Sequence, residues 1–134
     1  MQKCTLALGC FWKPEENFKG KPGIIETEVG YAGGEKPYVT YEEVCKGNTG
    51  HAEVVRLVYD EKLISYEKIL NLFFEMHDPT QKNMQFPDVG TQYRSEIFYE
   101  TEEQKELALK IKEKFNQSYN GKIETIISKI RNYC

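Results

Sequence analysis

The chain has 134 residues, of which 40% are hydrophobic and 29% are charged. This fits a single globular domain over residues 1–134 that is too short for two full cores. Its 18 Lys and Arg are spread among 21 Asp and Glu, for a net charge of −3. That balance excludes a highly charged disordered chain and argues against a nucleic-acid or anionic-membrane surface. No apolar run is long enough for a transmembrane helix or a signal peptide, so we expect a cytoplasmic protein with reduced thiols.

The first half of the chain predicts one strand, one helix and two further strands. The apolar residues 3–8 form a short strand that ends before a glycine. Residues 11–19 follow as a helix, because Pro14 is tolerated in a first helical turn and the acidic residues after it suit a helix N-terminus. Residues 24–31 and the β-branched residues 52–59 predict the next two strands, with a polar loop between them.

The second half predicts two helices and two strands around a long loop. Ser65 can cap a helix whose apolar residues recur at helical spacing up to a proline. Residues 78–94 then predict a loop without regular structure, and a loop of that length in a small domain is usually functional. Residues 96–99 predict a strand, residues 101–104 form a capping box at the start of the last helix, and residues 122–130 predict a final strand.

The order of the predicted elements is β-α-β-β-α-β-α-β, which indicates helices packed on a sheet. We therefore expect an α+β fold with a two-layer mixed β-sheet, packed helices, a ferredoxin-like core and long functional loops. In such folds, strand ends that face a helix N-terminus are places where reactive groups are exposed.

Cys10 is the first candidate for chemistry because it lies between a predicted strand end and a predicted helix start. Backbone N–H groups at a helix start favour a thiolate and lower the pKa of a thiol. Phe11 and Trp12 follow directly, and two aromatic rings beside a nucleophile would form an apolar slot for a methyl or thioether group. Position alone leaves open a buried, inert cysteine and two aromatic core residues.

Glu53 is the second candidate, at the start of an apolar predicted strand. A buried carboxyl has a raised pKa and stays protonated, so it can donate a proton. Alternation along the strand equally allows a surface-facing acid. Tyr41, Asp88 and Tyr93 lie in the two polar loops, where they could be hydroxyl donors and an orienting carboxylate, or else packed rings and a turn aspartate.

Metal and nucleotide sites have little support in the sequence. His51 and His77 are the only histidines, and neither has partners at zinc-ligand spacing. His77 fits better as part of a helix terminus. The glycine-rich residues 30–34 lack the Gly-Lys-Ser/Thr of a phosphate loop. We therefore expect neither a metal nor an organic cofactor.

Several segments together resemble the A-type peptide-methionine sulfoxide reductases. They occur in the family's order through residue 99: 9–12 (Gly-Cys-Phe-Trp), 30–34 (Gly-Tyr-Ala-Gly-Gly), 40–45 (Thr-Tyr-Glu-Glu-Val-Cys), 49–56 (Thr-Gly-His-Ala-Glu-Val-Val-Arg), 77–81 (His-Asp-Pro-Thr-Gln) and 88–95 (Asp-Val-Gly-Thr-Gln-Tyr-Arg-Ser). This combination is far more specific than any one of its segments. The chain differs at Lys13-Pro14, where many relatives have glycine and a small apolar residue.

The resemblance implies a role for each candidate. Cys10 matches the catalytic cysteine, and Glu53 matches the acid that protonates the sulfoxide oxygen. The other matches follow: Phe11 and Trp12 hold the substrate methyl group, while Tyr41, Asp88 and Tyr93 are the polar groups around that oxygen and its water. Cys45 matches a position that is usually structural.

The implied reaction reduces methionine S-sulfoxide, free or in proteins, and leaves Cys10 as a sulfenic acid. A thiol must then reduce that acid, directly or through a disulfide that thioredoxin could open. Many relatives continue beyond Cys134 with a tail that carries recycling cysteines, so the C-terminal tail is short relative to the family. Cys134 is therefore a candidate resolving cysteine, with Cys4 or an external thiol as alternatives.

Two other classes of function compete with this interpretation. The first is another cysteine enzyme, either a thiol peroxidase or a hydrolase in which His51 would be the base for Cys10. The second is a small α/β binding module without catalysis, in which Cys10 would be unreactive.

Overall fold

The computed structural model describes residues 2–9, 12–34, 40, 50–85 and 88–133, with the backbone alone at residues 12–14, 88, 89 and 91. Seven strands lie in these ranges: β1 (Gln2–Leu8), β2 (Ile24–Ala32), β3 (Ala52–Tyr59), β4 (Met84–Gln85), β5 (Asp88–Val89), β6 (Ser95–Tyr99) and β7 (Ile126–Lys129). The same ranges contain three α-helices and a 3₁₀ turn: α1 (Trp12–Phe18), α2 (Tyr66–Met76), the turn Thr91–Tyr93 and α3 (Glu102–Ser118). None of these helices is long and apolar enough to cross a membrane.

A five-stranded mixed sheet organises the fold, with the order β2-β3-β1-β6-β7. The central strand β1 pairs antiparallel with β3 and with β6, and β2 pairs antiparallel with β3. β7 pairs parallel with β6, a pairing that requires a crossover connection, which α3 supplies. The expected α+β architecture of one mixed sheet with packed helices is confirmed.

The helices cover one face of this sheet, which we call the inner face. Strand residues that point to it, such as Leu6, Val55 and Ile97, are at most 1% exposed. The helices bury apolar side chains against them: Phe18, Ile69, Leu70, Phe73, Phe74, Ala108 and Ile111. Since full burial of one large apolar side chain contributes about 1.5–3 kcal/mol, the inner face forms the main core.

The opposite face, which we call the outer face, is covered by residues 130–133, the C-terminal segment. Its buried residues are small, apart from one phenylalanine: Ala7, Ala32, Ala52, Val54 and Phe98. Ile130 and Tyr133 pack on them. The guanidinium carbon of Arg56 lies 4.1 Å from the centroid of the Tyr133 ring, and the Tyr133 hydroxyl donates a hydrogen bond to Glu28. The segment therefore reaches back across the sheet to β2 and β3.

Two predicted helix starts are confirmed by their caps. Ser65 Oγ accepts a hydrogen bond from the Lys68 N–H at 3.0 Å, and Thr101 Oγ1 accepts one from the Gln104 N–H at 3.1 Å. Gln104 also donates from Nε2 to the Lys3 carbonyl at 2.8 Å. The cap of α3 thus also ties that helix to β1.

The predicted loop 78–94 is wrong in one respect, because it contains regular structure. β4 and β5 form a two-stranded ribbon, and the 3₁₀ turn follows it. The Gly90 N–H closes the ribbon with a hydrogen bond to the Asn83 carbonyl at 2.9 Å. Strands of two residues satisfy backbone hydrogen-bonding groups, but they are too short to give a hydrophobic pattern in the sequence, so the ribbon was not predicted.

The last strand is shorter than the predicted residues 122–130. The Ile123 N–H donates to Asn116 Oδ1 at 3.1 Å, and the Glu124 N–H donates to the Pro79 carbonyl at 2.7 Å. Because these N–H groups are already bonded outside the sheet, pairing begins only at β7.

Candidate functional site

The described candidate Glu53 lies at one end of the sheet, where β1 ends and β3 and β6 begin. Leu8 pairs with Ser95 at the start of β6, and Tyr31 of β2 pairs with Glu53 of β3. The antiparallel register of β1 and β3 carries Leu8 to the level of Glu53. We call this end of the sheet the site end.

Glu53 is a buried acid at the site end. It is 2% exposed, and strand alternation places it on the inner face with Val55 and Leu57. Burial disfavours the charged form of a carboxyl. The alternative of a surface-facing acid is therefore wrong, and the role of Glu53 as a proton donor stays a prediction.

The other predicted polar residues are described in part. Tyr93 is half-buried and ends the 3₁₀ turn, which packs against β3. Its N–H donates to the Gly90 carbonyl at 3.0 Å. Asp88 lies in β5, opposite Gln85 of β4, and only its backbone is described. The structure thus brings the turn that carries Tyr93 to the strand that carries Glu53.

The predicted nucleophile and its neighbours fall largely outside the described residues. This holds for Cys10, Phe11, Tyr41 and Cys134, while Trp12 starts α1 with only its backbone described. The chain on both sides of Cys10 nevertheless matches the prediction, since β1 ends at Leu8 and α1 begins two residues after Cys10. The roles of these residues stay predictions.

Gly9, which precedes Cys10, is held in a conformation that only glycine adopts easily. Its φ is +101°, in the region that favours glycine. A Cβ at this position would lie 2.9 Å from both Cβ and Cγ of Gln85. The end of β1 therefore packs directly on the side-chain stem of Gln85 in the ribbon.

A chain of hydrogen-bonded polar groups, formed by the partly buried His77 and the buried Ser95 and Thr125, lies next to the site end. The two ring nitrogens of His77 lie 2.6 Å from the Phe73 carbonyl and 2.7 Å from Ser95 Oγ, and Ser95 Oγ lies 2.7 Å from Thr125 Oγ1. Burial lowers the pKa of His77 to about 4, so the ring is neutral near pH 7. Because a carbonyl can only accept, His77 Nδ1 donates to Phe73, and Nε2 accepts from the Ser95 hydroxyl.

Asp78, the next residue, organises the turn that leads into the ribbon. Its carboxylate accepts hydrogen bonds from the Thr80 N–H at 3.0 Å, from the Thr80 hydroxyl, and from Gln81 Nε2 at 3.1 Å. These bonds, first of all those from Thr80, lower the pKa of Asp78. The carboxylate thus stabilises the turn of which it is a part.

The segment that contains Tyr41 is anchored at both of its ends near the site end. The Gly34 N–H donates to His51 Nδ1 at 3.4 Å, and Arg94 Nη2 donates to the Gly50 carbonyl at 3.0 Å. Arg94 Nε also donates to Glu96 Oε1 at 2.6 Å. Since His51 is only 1% exposed and carries this contact, its environment is that of a packed structural residue.

Cys4 differs sharply from a reactive cysteine. It lies in the middle of β1, is a free thiol and is fully buried. Burial raises its pKa well above the ordinary range. Cys4 is therefore an inert core residue, which weakens its standing as an alternative resolving thiol. Among the described residues, no group of three His, Cys, Asp or Glu side chains could hold a metal ion.

A family model described as peptide methionine sulfoxide reductase matches residues 2–134. The chain belongs to this family. Membership confirms the resemblance and makes the chain an enzyme of the peptide methionine sulfoxide reductases. It also sets aside the hydrolase, peroxidase and binding-module alternatives.

Individual reductases of the family are similar along the whole chain. The peptide methionine sulfoxide reductase MsrA of Pelagibacter ubique is 57% identical over 134 residues, which cover 100% of this chain and 91% of that relative. The crystal structure of Mxr1 from Saccharomyces cerevisiae in reduced form is 38% identical with a TM-score of 0.95, over 98% of this chain and 77% of that one. Mxr1 in complex with Trx2 is 29% identical with a TM-score of 0.76, over 99% of this chain and 78% of that one.

Sequence reasoning missed three residues that this reductase places at the site end: Gln85, His77 as a hydrogen-bonding residue, and Ser95. His77 does form the C-terminal cap of α2 as expected. The length of the loop 78–94 was the available signal for Gln85, because it marked the segment as functional. No local pattern identified Ser95, whose partners are 18 and 30 residues away in sequence.

Proposed function

We propose that this reductase converts methionine S-sulfoxide, free or in proteins, to methionine by way of a thiolate on Cys10. The observation that carries the proposal is the buried Glu53 at the end of the sheet where β1 runs into Gly9 and Cys10. A buried neutral acid beside a cysteine is the pair that this chemistry needs, since a sulfoxide sulfur is a poor electrophile until its oxygen is protonated.

In the proposed reaction, reduction of the sulfoxide is coupled to oxidation of Cys10. Glu53 gives its proton to the sulfoxide oxygen while the Cys10 thiolate attacks the sulfur. The attack joins the two sulfur atoms; this bond and the S–O bond then break as the hydroxyl group passes to the Cys10 sulfur. Methionine leaves as the thioether with its sulfur reduced, and Cys10 is oxidised to a sulfenic acid. A second thiol condenses with that acid to form a disulfide and water. These steps use only side chains and an added thiol, with no metal or organic cofactor.

Five further residues complete the proposed site. The hydroxyls of Tyr41 and Tyr93 hydrogen-bond the sulfoxide oxygen as it gains charge, and Asp88 orients the water beside it. The support is the position of the 3₁₀ turn against β3 and of β5 directly before that turn. Phe11 and Trp12 hold the methyl group of the substrate, a role with which the start of α1 at Trp12 is consistent.

Thioredoxin is the proposed reductant of the disulfide, with Cys134 as the resolving thiol. The solved complex of the similar Mxr1 with Trx2 supports the partner. Residues just before Cys134 are held on the outer face: Arg131 donates to the Gly33 carbonyl at 3.0 Å, and Asn132 donates to the Gly34 carbonyl at 2.8 Å. Resolution by Cys134 is proposed to involve release of these contacts.

The proposal also includes a ferredoxin-like core, a single catalytic domain and a cytoplasmic location. The order β6-β1-β3-β2 with antiparallel neighbours supports a ferredoxin-like core. The continuous inner-face cluster supports a single catalytic domain over residues 1–134. The free thiol of Cys4 is consistent with a reducing, cytoplasmic setting.

Replacement of Cys10 tests the proposal. Reduced protein is mixed with one equivalent of methionine sulfoxide, and both methionine and protein mass are measured. We expect the parent to form methionine from the S epimer, with little from the R epimer, and to end as a sulfenic acid or disulfide. Cys10→Ser should form none. Methionine formation by Cys10→Ser would overturn the assignment.

A further inference from the structure

Gln85 touches three separate parts of the site end, although it carries no role so far. Its side-chain stem packs on Gly9, where any Cβ would lie 2.9 Å from its Cβ and Cγ. Its backbone pairs with Asp88 across the ribbon. Its amide group binds the backbone of Asp78, the residue after the cap of α2.

The amide group of Gln85 is fixed by a pair of hydrogen bonds. Gln85 Nε2 donates to the Asp78 carbonyl at 2.5 Å, and Gln85 Oε1 accepts from the Asp78 N–H at 3.2 Å. A side-chain amide that both donates to and accepts from one residue has its orientation set by that residue. Asp78 is in turn held by its two bonds from Thr80, so the side chain of Gln85 rests on a braced turn.

The position of Gly9 depends on this braced side chain. Gly9 has a φ of +101° and gains no rigidity from a side chain of its own, so its packing against Gln85 helps to limit its motion. A planar peptide bond joins Gly9 to Cys10. Whatever fixes Gly9 therefore fixes the point from which the backbone of Cys10 starts.

We propose that Gln85 is a positioning residue for the nucleophile: its stem holds Gly9, and its amide group locks that stem to Asp78, so that Cys10 starts from a fixed place relative to the ribbon and the turn that carries Tyr93. This inference rests on the proposed function of Cys10. It assigns Gln85 no contact with substrate.

Loss of Gln85 should slow the chemical step without weakening substrate binding. Attack on the sulfoxide sulfur requires the thiolate within about 3–3.5 Å and in line, and a misplacement of about 1 Å can cost roughly 100-fold in rate. Because Gln85 acts on the cysteine and not on the substrate, the substrate concentration at half-saturation should stay nearly constant.

Three variants test this inference in the first turnover, without an added reductant, so that recycling does not contribute. Gln85→Ala removes both the stem and the amide. Gln85→Met retains the Cβ and Cγ that touch Gly9 and removes only the amide. Gln81→Ala is the matched control, because Gln81 is also a glutamine bonded to Asp78. The measured quantities are the maximal rate of methionine formation and the half-saturating concentration of methionine S-sulfoxide.

We expect Gln85→Ala to lower the maximal rate by about 10- to 100-fold, with half-saturation within about twofold of the parent. Gln85→Met should fall between parent and Gln85→Ala, and Gln81→Ala should stay within about twofold of the parent. If Gln85→Ala does not fold, Gln85→Met decides: a loss of about threefold or more supports the proposal, and an unchanged rate overturns it.

Other results overturn the inference in distinguishable ways. A Gln85→Ala rate equal to that of the parent removes the positioning role. A raised half-saturation with an unchanged maximal rate makes Gln85 a substrate contact instead. An equal loss in Gln81→Ala means that disturbance of Asp78 alone explains the effect. A parent without activity, or an active Cys10→Ser, would overturn the proposed function and this inference together.

Discussion

The two faces of the sheet are buried by different means. On the inner face, three helices cover large apolar side chains such as Leu6, Leu57 and Ile97. On the outer face, small residues and one phenylalanine are covered by the short C-terminal segment, which is held by polar contacts. The inner face therefore supplies most of the hydrophobic stabilisation, while the outer face depends on hydrogen bonds and charge.

Two buried glutamates show what this difference means for chemistry. Glu96, on the outer face, is 5% exposed, and its carboxylate accepts from Arg94 at 2.6 Å and from the Ser128 hydroxyl. Glu53, on the inner face, is 2% exposed and shares its side of β3 with Val55. Glu96 is thus bonded to an adjacent cation, whereas Glu53 lies on the side of β3 that packs in the main core. The same residue type is held by a neighbouring charge on one face and is the proposed proton donor on the other.

The largest expected effect is the loss of rate on replacement of Glu53, which tests the contrast between the two glutamates. Glu53→Gln should lower methionine formation by about 10²–10⁴-fold, because an amide retains the hydrogen bond but is a far weaker acid. Circular dichroism and thermal unfolding check that the fold survives. The rate is measured in the first turnover over a range of pH.

Glu96→Gln is the matched control on the outer face. It removes the charge that faces Arg94, which should cost about 1–3 kcal/mol of unfolding free energy, and it should leave the rate per folded molecule within about twofold. A Glu53→Gln enzyme that is as active as the parent across pH would exclude Glu53 as the proton donor. An equal loss of rate in both variants would remove the distinction between the faces.

The sequence predicts the strands of the site end, but it does not predict which face of the sheet Glu53 occupies. The run of β-branched residues within 52–59 predicts β3 with its observed bounds. It cannot assign Glu53 to a face, since both faces of β3 are largely buried and only the packing of helices distinguishes them. The segment motifs identified the family, but the orientation of Glu53 required the sheet.

Other features lie beyond any local pattern. A two-residue strand such as β4 has no measurable period, so Gln85 could not be identified as a bracing residue. The C-terminal segment covers the outer face through Asn132 and Gly34, which are 98 residues apart. Contacts of this kind depend on the finished topology, and composition does not predict them.

A smaller expected effect is the pH dependence of stability that comes from His77, which caps α2 and bonds Ser95 of β6. Its pKa falls from an ordinary value of 6.5 to about 4 in the folded state because it is buried. Between these two pH values the unfolded state binds more protons than the folded state. The contribution of His77 to the free energy of unfolding is therefore fully present above pH 6.5 and is lost as the pH falls toward 4. We expect a loss of about 2–3 kcal/mol in unfolding free energy between pH 7 and pH 4.5 from this group.

His77→Gln isolates that contribution from the acids that titrate in the same range. Glutamine can still donate and accept hydrogen bonds near Phe73 and Ser95 but does not titrate. Urea unfolding at several pH values should give a shallower dependence on pH for the variant than for the parent. Parallel curves for the two proteins would mean that His77 is protonated in the folded state as easily as in the unfolded one.

The smallest expected effect concerns the C-terminal segment and recycling. If Cys134 resolves the sulfenic acid, Cys134→Ser should leave the first methionine unaffected and slow turnover driven by thioredoxin. Tyr133→Phe removes the hydroxyl that donates to Glu28 and should weaken the segment's attachment by about 1 kcal/mol. Since about 1 kcal/mol corresponds to roughly fivefold in an equilibrium, disulfide formation should become up to about fivefold faster in Tyr133→Phe. Unchanged turnover in Cys134→Ser would instead indicate Cys45 or an external thiol, because Cys4 is fully buried.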